Sequence, residues 1–313
     1  MKVTYFTGLI AIIGLGLTTL QSCDKSAIPG DASVSTQDAN NVSKALDATS
    51  DDAAAAAGQV SHYKSILLNN SGGSFLIGAT ITDTSSAGIV IQYDGVSLCN
   101  GMTRSGTIAI TNTGGLPWHD AGAVLTVSYN NIIVTDIVSG YTYTLNGTHT
   151  ITNVTGGLAW QVVASQAPST TVTHRIQSSG MSITFPNGAQ KTWTVDRTRS
   201  WSSTADNSTI TITESSSPNS ADVTETGEDR YGTLFTNSIT SAIIGNNNCN
   251  WRPYTGTYTH QMPGQVTSLQ YGTDTYGNQV GTPAHCGSYG DYGFNITYIN
   301  ASLRIYRFVS YWR

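Results

Sequence analysis

Tyr141-Thr-Tyr-Thr-Leu145 and Thr209-Ile-Thr-Ile-Thr213 alternate large apolar residues with threonine. A period of two marks a strand with one buried and one wet face. From His62 onward such β-prone runs recur about every 8 to 12 residues, separated by Gly, Asn, Asp and Ser, which is the all-β pattern. Ser74–Thr80, Gly88–Tyr93, Gly106–Thr111, Val124–Tyr129, Thr192–Asp196, Phe294–Tyr298 and Leu303–Phe308 are further examples. No helical period is sustained in this region. Half-wet faces belong to antiparallel sheets, so an all-β fold is expected, sandwich-like or extended.

Two hairpins are expected. With a three-residue loop and Gly147 in the left-handed region, Leu145 faces His149 and Tyr143 faces Ile151, leaving one apolar face and one threonine face. A two-residue Asn146-Gly147 turn would mix the faces. In the second hairpin, Met181–Phe185 turns through Pro186–Ala189 into Lys191–Val195, and an odd loop puts Ile183 opposite Trp193 and Met181 opposite Val195.

The polar surface is built with little charge. Only 11% of the residues are charged, against about 25% in ordinary soluble proteins, so Thr, Ser, Asn and Gly must do that work. With a net charge of −5, 14 Lys and Arg in all and no basic block, the chain lacks the footprint of a nucleic-acid binder. No cofactor motif is present.

The N-terminus reads as an address. Met1-Lys2 precedes a mostly apolar run to Leu20, then Gln21-Ser22-Cys23. This is the n-region, h-region and small-residue order of an exported chain. Leu20-Gln-Ser-Cys23 resembles the lipobox of bacterial lipoproteins, which implies lipidation of Cys23 and a membrane partner through the lipid. Residues 1–22 are then the signal peptide and 23–61 a lipidated tether, partly helical or disordered. Thr36 to Ala57, with five alanines from Ala53, is expected to form one or two short helices that are marginal unless docked.

Cys99-Asn-Gly-Met-Thr-Arg-Ser-Gly-Thr107 and Cys249-Asn-Trp-Arg-Pro-Tyr-Thr-Gly-Thr257 share Cys-Asn, four residues, a hydroxyl residue, Gly and Thr. Each reads as a turn entering a strand, with Gly106 and Gly256 at bends. The echo divides the body into two related β subdomains, 62–165 and 166–313. Cys249 and Cys286 are the preferred disulfide pair in a compartment that permits one, with Cys99 left over. The rival zinc set of Cys249, Cys286 and His285 has no supporting ligand spacing, so no metal is expected.

Glu225, Glu228 and Asp229 form the densest acidic cluster, a solvated turn in preference to a paired-carboxylate hydrolase site or a weak calcium site. Trp118, His119 and Asp120 form a loop that offers a platform for stacking a sugar ring. His149 is expected in the core. A serine triad on His119 and Asp120 lacks the nucleophile elbow, and lipid-facing alternation recurs in too few segments for a membrane barrel.

The stretch from Cys99 to Ile110, the segment Gly140–Asn153 and the later Cys249–Gly256 resemble uncharacterised envelope lipoproteins of Bacteroidota. The resemblance runs over roughly Gly88 to Tyr298. It implies an all-β envelope protein at the outer membrane, facing periplasm or cell surface, and no activity or catalytic residues. The expected function is non-enzymatic binding of glycan or envelope protein, or a structural role. Its competitor is a hydrolase of an extracellular polymer. A cleft with two acids of perturbed pKa would mark the hydrolase, and a flat aromatic or threonine face the binder.

Overall fold

The computed structural model describes residues 30–62, 76–83, 88–99, 101–137, 140–218, 222–249, 251–281 and 292–310. The expected signal peptide, Cys23 and Cys286 lie outside the described residues. A 33-residue helix, α1 (Gly30–His62), comes first. Then follow β1 (Ala79–Asp83), β2 (Ile89–Asp94), β3 (Met102–Asn112), β4 (Val124–Asp136) and β5 (Thr142–Asn153). A short helix, α2 (Ala159–Val163), leads to β6 (Thr171–Thr184), β7 (Gln190–Ser203), β8 (Ile210–Ser216) and β9 (Val223–Glu228). The chain continues with β10 (Leu234–Asn246), β11 (Pro253–Met262), β12 (Gln265–Thr273), β13 (Gly293–Asn300) and β14 (Arg304–Ser310).

All fourteen strands belong to one antiparallel sheet that follows chain order from β1 to β8 and from β10 to β14. β8 and β9 lie end to end between β7 and β10. β7 pairs with β8 along Arg197 to Ser203 and with β9 along Thr192 to Val195. The sheet runs through the expected division at residue 165, because β5 pairs with β6, Ile151 opposite Ile176. The main core is shared across that division, taking Leu125 and Leu145 from one side and Trp193 and Phe235 from the other.

The sheet curls around α1. Every described residue from Ser35 to Gly58 is buried except Ser43 and Asp51, which are half-buried. Bonds reach the helix from Tyr93 on β2, Arg104 on β3, Tyr129 on β4, Tyr143 on β5, Arg197 on β7 and His260 on β11. Small side chains permit this enclosure: Ala39, Ala45, Ala48 and Ala53 to Ala57 are all buried and let strands approach on every side. Instead of short marginal helices on a tether, the segment forms one helix. Docking supplies the stability that a largely polar sequence cannot give alone.

The first expected hairpin is absent. β5 runs straight through Asn146-Gly147 and pairs with β4 on both sides of them, Leu145 opposite Ile132 and Ile151 opposite Leu125. The two glycine-marked residues sit at a bulge, where Asn131 (φ 54°) and Gly147 (φ 120°) are both left-handed. A Cβ on Gly147 would lie 3.0 Å from Met181 Cα. Gly147 is thus required for strand packing, not for a turn. The second hairpin forms, closed between Phe185 and Ala189, but two residues out from the expected register. Ile183 faces Lys191 and Met181 faces Trp193, because the loop is only Pro186-Asn187-Gly188, closed by Phe185 N–H to Ala189 O, and a shift of two keeps each side chain on its expected face.

The Cys-Asn echo has a structural counterpart. Cys99 and Cys249 lie in turns that enter β3 and β11, closed by Met102 N–H to Cys99 O and Arg252 N–H to Cys249 O. Gly106 (φ 104°) and Gly256 (φ 124°) are both left-handed at breaks in strand register.

Candidate functional site

The curled sheet has an inner face, much of it turned to α1, and an outer face turned to solvent, and each carries a distinct chemistry. On the inner face, Arg104 and Asp52 form a buried pair at 2.6 Å, and Asp52 also accepts from Tyr93 Oη. Arg197 pairs with Asp47. Arg199 lies 3.0 Å from Asp51, 3.5 Å from Glu214 and 3.9 Å from Asp47. Near the start of the helix, Arg230 holds Asp38 by two bonds of 2.7 and 2.6 Å.

Burial shapes the protonation of this interior. It pushes Asp51 and Glu214 up to about 7, against the pull of Arg199. Burial also drives His149, His174 and His260 down to about 3, helped by Arg197, Arg199 and Lys191 respectively. The three imidazoles are therefore neutral at physiological pH. His149 meets Ser50 Oγ at 3.1 Å and His260 meets Asn237 Oδ1 at 2.6 Å.

The outer face is a hydroxyl lattice. Neighbouring strands are linked by Thr135–Thr142 (3.0 Å), Thr173–Ser200 (2.8 Å), Thr194–Thr226 (2.8 Å), Thr198–Ser215 (2.7 Å) and Thr259–Ser268 (2.8 Å). Across β5, β6, β7 and β9 this face sinks into an open concavity of about 880 Å³. Bulges produce it: register breaks between Asn146 and His149 and between Ser179 and Met181 sharpen the local twist. Its walls carry Thr148, Thr150, Gln177, Ser179, Thr194 and Thr226. Asp196, the wall carboxylate that faces outward, is neutralised by a two-bond pair with Arg175 at 2.8 and 2.7 Å.

The residues singled out in the sequence fall in different places. Trp118 is no platform: its ring is buried and packs 5.0 Å from that of His174. Of the three, His119 and Asp120 reach solvent, and they lie 3.4 Å apart. The acidic cluster is split. Glu225 is buried and accepts from Asn237 Nδ2 at 2.7 Å, whereas Glu228 is exposed. Asp229 is buried and caps its turn by accepting from the Tyr231 and Thr233 amides. The cluster is therefore not a solvated turn. Cys249 is buried, and Cys99 is a free buried cysteine. Among the described residues, no group of three or more His, Cys, Asp or Glu is arranged to hold a metal.

The concavity and the inner ionic network were not read from the sequence. A signal for the second was present: Arg197 and Arg199 share the parity of Trp193, Val195 and Trp201, which places them on the apolar face. The perturbed acids Asp51 and Glu214 and the outer concavity stand on opposite faces of the sheet.

No family model, curated protein or solved structure matches this chain.

Proposed function

We propose that this chain is a lipid-anchored envelope protein of the Bacteroidota lipoprotein type, held at the outer membrane through Cys23, with a non-enzymatic binding role. The observation that carries the reading is the concavity on β5, β6, β7 and β9. Its hydroxyl and amide groups and its neutralised carboxylate suit a neutral, many-hydroxyl ligand, and hence a glycan. Aligned threonines offer both donors and acceptors to sugar hydroxyls, and an open groove admits a polymer from the side. The Cys249–Cys286 disulfide belongs to the same reading, as a staple suited to an oxidising compartment.

A glycan array probed with the purified mature chain tests it, followed by calorimetry on any hit. Replacing Gln177 by Leu together with Thr194 by Val should weaken binding at least about tenfold, the equivalent of one or two hydrogen bonds. An array without hits, or a hit indifferent to these substitutions, would sink the glycan assignment. Cleavage of a bound glycan would favour the competing hydrolase reading.

A further inference from the structure

The first turns of α1 sit among the strand connections at one rim of the sheet. Arg230, in the β9–β10 turn, pairs with Asp38 and lies 3.7 Å from the Phe185 ring centre and 5.5 Å from that of Tyr141. It thereby gathers the β9–β10, β6–β7 and β4–β5 connections around the helix start. The Ile137 amide donates to Gly101 O at 3.0 Å and draws in the β2–β3 connection. This rim exposes Val96, Leu98, Ile137, Tyr231 and Leu234, each between 53 and 77% accessible.

We infer that this rim is a membrane-contacting surface that rests on the lipid headgroup and acyl boundary of the anchoring bilayer. The inference builds on lipidation of Cys23, as proposed above. Six residues lie between Cys23 and Gly30, and the seven steps from one to the other span at most about 25 Å when fully extended. The helix of 33 residues is about 50 Å long, so its far end lies beyond the reach of the tether. Covalent reach alone therefore turns the Arg230 rim toward the bilayer. Its exposed apolar side chains give that rim a favourable interfacial contact. The exposed charges close to these residues include Asp94 and Glu228, so the contact is apolar and needs no anionic lipid. In this orientation the outer concavity, on the side of the sheet, stays open to the aqueous phase.

Photo-crosslinking of the mature lipidated full-length chain tests the orientation. Vesicles of phosphatidylethanolamine and phosphatidylglycerol would carry a trace of phosphatidylcholine with a diazirine in its acyl chain, and adducts would be mapped by mass spectrometry. Adducts are expected on Val96, Leu98, Ile137 and Tyr231 and not on Tyr276, which is exposed in the β12–β13 connection. Substituting Val96, Leu98 and Ile137 by Ser, all on exposed turns, should abolish the adducts at those turns. Equal labelling of Tyr231 and Tyr276, with the lipid mass present on Cys23, would overturn the orientation alone. Absence of lipid on Cys23 would overturn the anchor and the orientation with it.

Discussion

Asp52 and Arg104 lie 52 residues apart and meet at 2.6 Å, both almost wholly buried, one on the central helix and one on β3. Truncating one member leaves the other charged and unpaired inside the protein, which typically costs about 3–5 kcal/mol. Asp52→Ala and Arg104→Met should each lower stability on that scale in chemical denaturation. The double variant should cost less than the sum of the two. Additive losses would show that the two charges are not coupled.

An ion pair on the outer face should behave differently. Arg175 and Asp196 are joined by two bonds but remain 28 and 32% exposed. Replacing both by neutral residues should change stability by only about 0–1 kcal/mol. The same double variant should alter ligand binding at the concavity, so stability and affinity would separate in paired denaturation and calorimetry experiments.

The interior carboxyls predict an unusual pH response. Asp51 and Glu214 titrate near 7 in the folded protein, above their ordinary values of 3.8 and 4.5. The folded state then binds more protons than the unfolded one, so their contribution is complete below about pH 4 and is lost as pH rises toward 7. The three histidines lowered to about 3 from 6.5 act oppositely, contributing fully above 6.5 and losing that contribution as pH falls toward 3. In an Asp51→Asn/Glu214→Gln variant, stability should rise with pH between 4 and 6.5 more steeply than in the parent chain. Equal slopes in urea titrations across that range would contradict the assignment.

Much of the body was legible in the sequence, because alternation reports a strand whatever its partner. The faces of Tyr143, Leu145, His149 and Ile151 were read correctly while the turn between them was not. An odd loop and an uninterrupted strand keep the same parity, so periodicity cannot separate them. Asn146-Gly147 then tipped the choice toward a turn, although Gly147 is needed where the backbone approaches Met181. The second hairpin was misplaced by loop length alone: three-residue and five-residue loops have the same parity, so Lys191, in phase with Trp193, lies inside either way, 4.2 Å from the Phe235 ring centre. The helix resisted reading because about half of its buried residues are polar or charged. Partners for Asp38, Asp47 and Asp52 come from arginines far along the chain, and no local pattern announces them.

Gly256, of the Cys-Asn echo, and Gly180, at the β6 bulge, give a local test of backbone constraint. A Cβ on Gly256 would lie 2.5 Å from Ile243 Cα, whereas one on Gly180 (φ 106°) meets nothing within 4 Å. Alanine at either site should cost about 1–3 kcal/mol for the left-handed backbone, with a further loss at Gly256 from the clash. Thermal unfolding of the two variants side by side would reveal the difference.

Cysteine chemistry offers a simple check on the interior. Burial pushes the Cys99 thiol up to about 11, so native protein should resist maleimide at pH 7.5 and become modified there on unfolding. If Cys249 and Cys286 are bridged, those two should react only after reduction as well.

The enclosed helix also dictates an order of events during biosynthesis. Helix α1 leaves the ribosome long before its partners: Arg230 follows Asp38 by 192 residues and His260 follows Ser35 by 225. At about 5–20 residues per second, the first of these gaps alone lasts roughly 10–40 s. For most of that interval its aspartates lack the arginines of β7, and for all of it the arginine of the β9–β10 turn. The structural centre of the protein is thus made first and completed last, and the sheet must close around a segment that has waited for nearly the whole chain.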